Sequence, residues 1–257
     1  MKSFAVALQV EFIKLRRTLA FWMMFIAPLG IVALTVLFDL RLGADVSGAN
    51  TDAWSTLLRD TIGFWVVLML PLFVALESAL LAQLEHSQKM WKHLLALPTW
   101  RGTFYLAKLS MNILLVGFAT LILFGGIVLA GWLLQIFNLR PDFHWGVPNP
   151  SWSVAATTAL FVFLLSWGMT ALQTYVSMRW ASFTVALGIG ILGSISAFVF
   201  VRSVALAQFV PWLLPFNALE PYIKQSATLG VPLLVSLLCT ILFTAFGMWE
   251  LNTRDVA

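Results

Sequence analysis

The chain has 257 residues, of which 61% are hydrophobic and 10% charged, and its formal net charge is +4. Soluble domains carry roughly 25% charged residues, so this composition excludes a water-soluble fold of useful size and points to lipid as the solvent. The basic residues stand in short clusters beside apolar runs and form no basic stripe in a polar domain, which argues against nucleic acid as a partner.

The first seventeen residues are not expected to be a signal peptide, because the apolar run after Arg17 is too long for an h-region and has no small-residue cleavage site. Phe4, Leu8, Phe12, Leu15 and Leu19 recur at helical spacing, with Lys2, Gln9, Lys14 and Arg16 on other faces. This predicts an amphipathic helix over residues 1–18 lying on the inner leaflet. A cytoplasmic overhang of the first span is the alternative.

A transmembrane helix needs about 20 mostly apolar residues. Six stretches qualify: 19–38, 61–84, 104–137, 153–178, 180–201 and 230–249. The expected class is therefore an all-α integral membrane protein, with residues 1–257 forming a single transmembrane domain. Lysine and arginine in connecting segments favour the cytoplasm. With the N-terminus inside, the inner segments hold ten of these residues and the outer segments five, which accounts for all 15. Both termini are thus expected to be cytoplasmic.

In the second span Glu77 is the one carboxylate well inside an apolar run. An intramembrane ionisable group is a functional candidate by default, although its closeness to the inner end would let it snorkel toward Lys89 or Lys92. Residues 85–101, EHSQKMWKHLLALPTWR, form the longest polar interruption on the inner side. They can make a short helix with Trp91, Leu94, Leu95 and Pro98 toward the membrane or a partner, ended by Pro98. Lys108, near the start of the third span, is expected to snorkel to the headgroups. The stretches 39–60 and 138–152 read as solvated outer connections.

Ser182, Ala186, Gly190 and Ser194 form a stripe of small residues spaced by four in the fifth span. Such a stripe lets another helix approach closely, and a second protomer is the favoured neighbour over another span of the same chain. Between the fifth and sixth spans, residues 209–222 are apolar but broken by Pro211, Pro215 and Pro221. Non-helical backbone at membrane depth survives only where it is buried in protein or lines a wet cavity. This marks a re-entrant element or outer lid, or else an interfacial loop anchored by Trp212.

Enzymatic readings fail on inventory. His86, His93 and His144 have no metal-binding spacing, Cys239 is remote from them, and no serine in a span has a sequence-near base. No G-x-x-x-x-G-K-[ST] occurs, so any use of ATP is expected on another polypeptide.

Three features resemble the membrane subunit of type-2 ATP-binding-cassette exporters, especially the short permeases of lantibiotic-immunity and bacitracin-export systems. They are the basic amphipathic start EFIKLRR running into the first span, the six-span layout with a proline-broken outer element, and the inner segment of Glu85, Trp91, Lys92, Pro98, Arg101 and Lys108. The resemblance implies two paired permeases, each docking a separate ATPase, in the bacterial inner membrane. It makes residues 1–18 an elbow helix and 85–97 a coupling helix, with Glu85, Lys89, Trp91, Lys92, Leu94, Pro98 and Arg101 in the ATPase-coupling segment. The fifth span would lie at the protomer interface, and Pro211, Trp212, Pro215 and Pro221 near an outer gate. No cofactor is expected in this chain, ATP and Mg belonging to the partner. Cargo is expected to be hydrophobic or amphipathic, such as a peptide antibiotic. An ion- or proton-coupled secondary transporter or channel is the rival class, and it would need paired intramembrane charges or an inverted repeat.

Overall fold

The computed structural model describes residues 2–16, 18–42, 53–87, 100–139, 152–200, 203–219 and 229–253. Among these residues the chain forms α1 (Lys2–Leu15), α2 (Leu19–Leu42), α3 (Ala53–Phe64), α4 (Leu70–Ser87), α5 (Gly102–Ile136), α6 (Trp152–Arg179), α7 (Phe183–Phe200), α8 (Val204–Ala207) and α9 (Gly230–Thr253), without a strand. A π turn over Trp65–Met69 joins α3 to α4, and a 3-10 turn over Leu214–Leu219 follows α8. Six units are long and apolar enough to cross a membrane: α2, α3 continued through α4, α5, α6, α7 and α9. This is the all-α, six-span architecture expected from the sequence.

The boundaries differ where a helix carries a polar face. Residues 39–60 were expected to be a solvated loop, yet α2 continues to Leu42 and α3 begins at Ala53. The reason is amphipathicity: Trp54, Leu57, Leu58, Thr61 and Ile62 recur at helical spacing and are buried, while Arg59 and Asp60 stay exposed and ion-paired at 3.0 Å. At the other end of the third span, Asn138 adopts a left-handed φ of 52° just past α5. Asparagine tolerates that conformation and ends helices with it.

Helix α6 is the hub, packed against α4, α5, α7, α9 and the 3-10 turn. Its buried Ser166, Thr170 and Thr174 donate to carbonyls of the preceding turn at 2.6, 2.8 and 2.7 Å. Each hydroxyl is thereby satisfied without water. Gly168 lets α9 approach closely. Its N–H donates to Ser236 Oγ at 3.1 Å, that hydroxyl donates to the Leu164 carbonyl at 3.0 Å, and a Cβ on residue 168 would meet the Ser236 carbonyl at 3.0 Å. In the second span the π turn is closed by the Leu70 N–H on the Trp65 carbonyl, with Trp65 and Val66 fully buried beside it.

Candidate functional site at the charged end of the bundle

Helix α1 packs against α5, but not through the predicted apolar stripe. Leu15 is buried and Leu8 half-buried, whereas Phe4, Phe12 and Leu19 are exposed, and the face turned inward carries Glu11 at 6% exposure. The exposed apolar residues Val6, Val10, Phe12 and Ile13 are left on the outer side of α1. Thr18 donates both its N–H and its hydroxyl to the Leu15 carbonyl, at 2.9 and 2.8 Å, as the chain leaves α1 for α2. The N-terminal helix is thus a separate element and not an overhang of the first span.

The buried Glu11 has a physical reason. Glu11 and Lys14 stand three residues apart on α1 and pair at 2.8 Å. Lys14 Nζ also reaches Glu85 Oε1, in the last turn of α4, at 3.1 Å. Lys108 Nζ, in the second turn of α5, lies 3.1 Å from Glu11 Oε2 and 3.1 Å from Glu85 Oε1, and donates to the Leu81 carbonyl at 3.0 Å. The four side chains close a ring of two acids and two bases with no net charge. Of the three N–H donors of an ammonium, Lys108 gives hydrogen bonds to Glu11 and the Leu81 carbonyl, and the Glu85 carboxylate lies in ion-pair contact with it. Lys108 was expected to snorkel outward; instead it is 2% exposed, because two carboxylates and a carbonyl solvate it inside the protein.

For Glu11, burial raises its pKa, but the ammonium groups of Lys108 and Lys14 outweigh that and hold the carboxyl below its ordinary value. Lys14 is the mirror case: burial lowers it, Glu85 and Glu11 more than compensate, and it lies above the ordinary lysine range. Both shifts favour the fully charged ring.

Glu85 and Lys108 flank residues 88–99, so the ring fastens α1 to both ends of that segment. Further polar contacts gather at the same end of the bundle. His86 Nε2 lies 3.3 Å from the Ser177 carbonyl, Arg101 donates to the Leu251 carbonyl at 3.4 Å, and Arg179 pairs with Glu250. Tyr105 donates to the Phe243 carbonyl at 3.0 Å. Helices α1, α4, α5, α6 and α9 are therefore cross-linked at one end. Of the predicted coupling residues, Glu85 is in the ring and Arg101 bonds to α9 instead; Lys89, Trp91, Lys92, Leu94 and Pro98 lie outside the described residues. Glu11, Lys14 and Lys108 were not among the predicted site residues. Their signal was the charge alternation across two sequence-distant segments, which acquires meaning only once α1 folds back along α5.

At the opposite end, the proline-broken stretch is packed into the protein. Leu213, Leu214, Pro215, Asn217, Ala218 and Leu219 are buried, and Pro211 and Trp212 are half-buried. The 3-10 turn packs on α3, the π turn, α6 and α9. Leu219 reaches Gly63, ten residues into the second span and roughly 15 Å along it. The Asn217 amide donates to the carbonyls of Ala207, Leu213 and Leu214 at 3.0, 3.3 and 3.1 Å. Carbonyls that no regular helix would satisfy are so covered. Trp212 packs its ring on Gly193 of α7, so it is no free interfacial anchor. Pro221 lies outside the described residues.

The small stripe of the fifth span turns inward as well. Ser182 precedes α7 and is exposed, but Ala186, Gly190 and Ser194 are buried within the chain. Gly190 rests on Ala75 of α4, and the Gln173 amide donates to the Ala186 carbonyl at 2.7 Å. The close approach that the sequence reading gave to a second protomer is made between α7, α4 and α6. Glu77 differs from expectation too. It is 1% exposed, does not snorkel, and neither carboxylate oxygen has a hydrogen-bond partner.

Among the described residues no group of His, Cys, Asp or Glu could hold a metal. What the site offers is mechanical: a cross-linked end, a broken element at the other, and spans between. No curated protein matches the chain. The family profile described as ABC-2 family transporter protein matches residues 7–197, from within α1 through nearly all of α7. The chain therefore belongs to the ABC-2 transporter family, as a multi-pass membrane subunit of an ABC transporter.

Proposed function

We propose that this chain is the permease of an ATP-driven exporter in which residues 85–101 take up motion from a separate ATPase and the ring of Glu11, Lys14, Glu85 and Lys108 passes it to the spans. The ring is the observation that carries this reading, because it binds α1 to both ends of residues 88–99. A segment moved from below then carries α1, α4 and α5 with it. Residues 203–219, seated against the second span and α6, serve as the outer gate, and two permease subunits, alike or related, pair around the pathway. ATP and magnesium bind the partner ATPase, and the termini lie on its side of the bacterial inner membrane.

The cargo is hydrophobic or amphipathic, a peptide antibiotic fitting best. Support comes from a groove of about 670 Å³ between α5 and α6, walled by Gly117, Phe118, Phe124, Ala156, Leu160 and Phe163. Its hydrogen-bonding side chains are Thr120 and, at one end, Trp152; Thr120 gives its hydroxyl to the Val116 carbonyl at 2.8 Å, and the rest of the lining is apolar. The groove therefore suits an apolar chain. Trp91→Ala tests the coupling assignment. The variant is expected to fold and to retain the ATPase while losing transport-linked ATP hydrolysis; hydrolysis at the wild-type rate would overturn the assignment.

A further inference from the structure

Glu77 has no place in a purely mechanical coupling path, yet it is the least solvated carboxyl among the described residues. It stands eight residues before Glu85, about 12 Å deeper along the helix. Neither oxygen has a partner. An isolated ionised carboxylate in an apolar interior is so costly that the group takes up a proton instead.

Among the described residues on the elements packed around Glu77, each cation near it is already engaged elsewhere. The elements packed on α4 are α2, the π turn, α5, α6 and α7. On α5, Lys108 reaches the Leu81 carbonyl one turn from Glu77, but it is hydrogen-bonded to Glu11 and that carbonyl and ion-paired with Glu85. Tyr105 of α5 is bonded to the Phe243 carbonyl. On α6, Tyr175 lies against the Phe243 ring, with centroids 6.0 Å apart, and Arg179 is paired with Glu250. Asp39 and Arg41 stand at the far end of α2, and the π turn and α7 carry no ionisable residue. On α4 itself, Glu85 belongs to the ring and His86 lies against the Ser177 carbonyl.

The helices packed together here carry other unsatisfied polar groups. Ser78 Oγ on α4, Asn112 Oδ1 on α5, and Gln173 Oε1 and Ser177 Oγ on α6 are also buried without partners. Asn112 bridges α5 to α6 through Thr174 Oγ1 at 2.8 Å. Unsatisfied polar groups thus stand on all three of the mutually packed helices α4, α5 and α6, and the seam between these helices gains hydration when they part. An apolar interface would resist such opening.

We propose that Glu77 is a proton-binding site: it holds a proton in this conformation and releases it when the transport cycle opens the seam to water. On release, the carboxyl O–H bond breaks, its electron pair stays on the carboxylate and the proton passes to water. Closure of the seam reverses the step. One proton is thereby bound and released per cycle on each permease, without a redox partner. The release step rests on the exporter reading, whereas the protonated resting state does not.

Infrared difference spectroscopy of the purified permease with its ATPase, reconstituted in lipid at neutral pH, tests this. The resting complex is expected to show a carboxylic-acid carbonyl stretch that shifts in D2O, is absent in Glu77→Gln and diminishes when the complex is trapped with nucleotide. A missing band, or one that persists in Glu77→Gln, overturns the proposal. A band that is equal in the resting and trapped states overturns the release step. Glu77→Asp keeps the acid and displaces the band, so it replaces the Gln variant should that fail to assemble. If no ATPase accompanies the chain, the exporter reading fails, and the resting band still decides whether Glu77 carries a proton.

Discussion

A buried lysine survives in this protein because three acceptors surround its ammonium, and the same geometry makes it sensitive to change. Lys108→Met leaves Glu11 Oε2 without its ammonium and Glu85 with Lys14 alone. Breaking a buried ion pair from one side costs about 3–5 kcal/mol, so the variant is expected to unfold that much more easily in detergent. The Glu11→Gln, Lys108→Met double variant should lose less than the sum of the two single losses, because the partners share one network. Additive losses would mean that the two residues act independently.

The pH dependence of the ring follows from two shifts of opposite sign. Glu11 lies below its ordinary value, so its contribution is present above the ordinary carboxylate range and is lost as pH falls through the depressed value. Lys14 lies above its ordinary value, so its contribution is present below the ordinary lysine range and is lost as pH rises through the raised value. Thermal stability is expected to fall as pH drops below about 4, and Glu11→Gln should make that acid limb shallower and also weaken the alkaline limb, leaving the part that Glu85 supplies to Lys14. An acid limb of unchanged steepness in Glu11→Gln would contradict the pairing. The sequence shows each of these residues but not their meeting, because Glu11 and Lys108 are 97 positions apart. Charge on a span reads as snorkelling until a second element is known to cover it.

At the scale of elements, hydropathy was enough to find every span, since lipid demands long apolar runs whatever their partners. It was weaker at the ends. Helix α3 reads as a loop because its first turns bury one face and wet the other, whereas the helix of α1 is legible in its apolar spacing and only its buried charged face is not. Small-residue spacing correctly marked a close helix contact at Ala186 and Gly190, but spacing alone carries no information on whether the neighbour is the same chain. In this chain it is α4. Gly190→Leu should therefore wedge α7 away from Ala75 and lower the unfolding free energy of the single subunit by about 1–3 kcal/mol, the usual range for overpacking. Thermal unfolding together with the oligomer distribution in detergent checks this: a stability loss at unchanged distribution is expected, and the opposite result would return the stripe to a protomer interface.

Across the whole molecule, polar cross-links gather at one end and a proline-broken, amide-braced element plugs the other, with Gly168, Gly190 and Gly193 permitting tight packing between them. Under the proposed function, the cross-linked end takes up motion from the ATPase and the other end opens. The most direct measurement is purification of the tagged chain in mild detergent, with identification of what accompanies it and assay of ATP hydrolysis in the eluate. A stoichiometric P-loop ATPase whose activity depends on this chain is the predicted result. Recovery of the chain alone, folded and without ATPase activity, would contradict an ATP-driven permease.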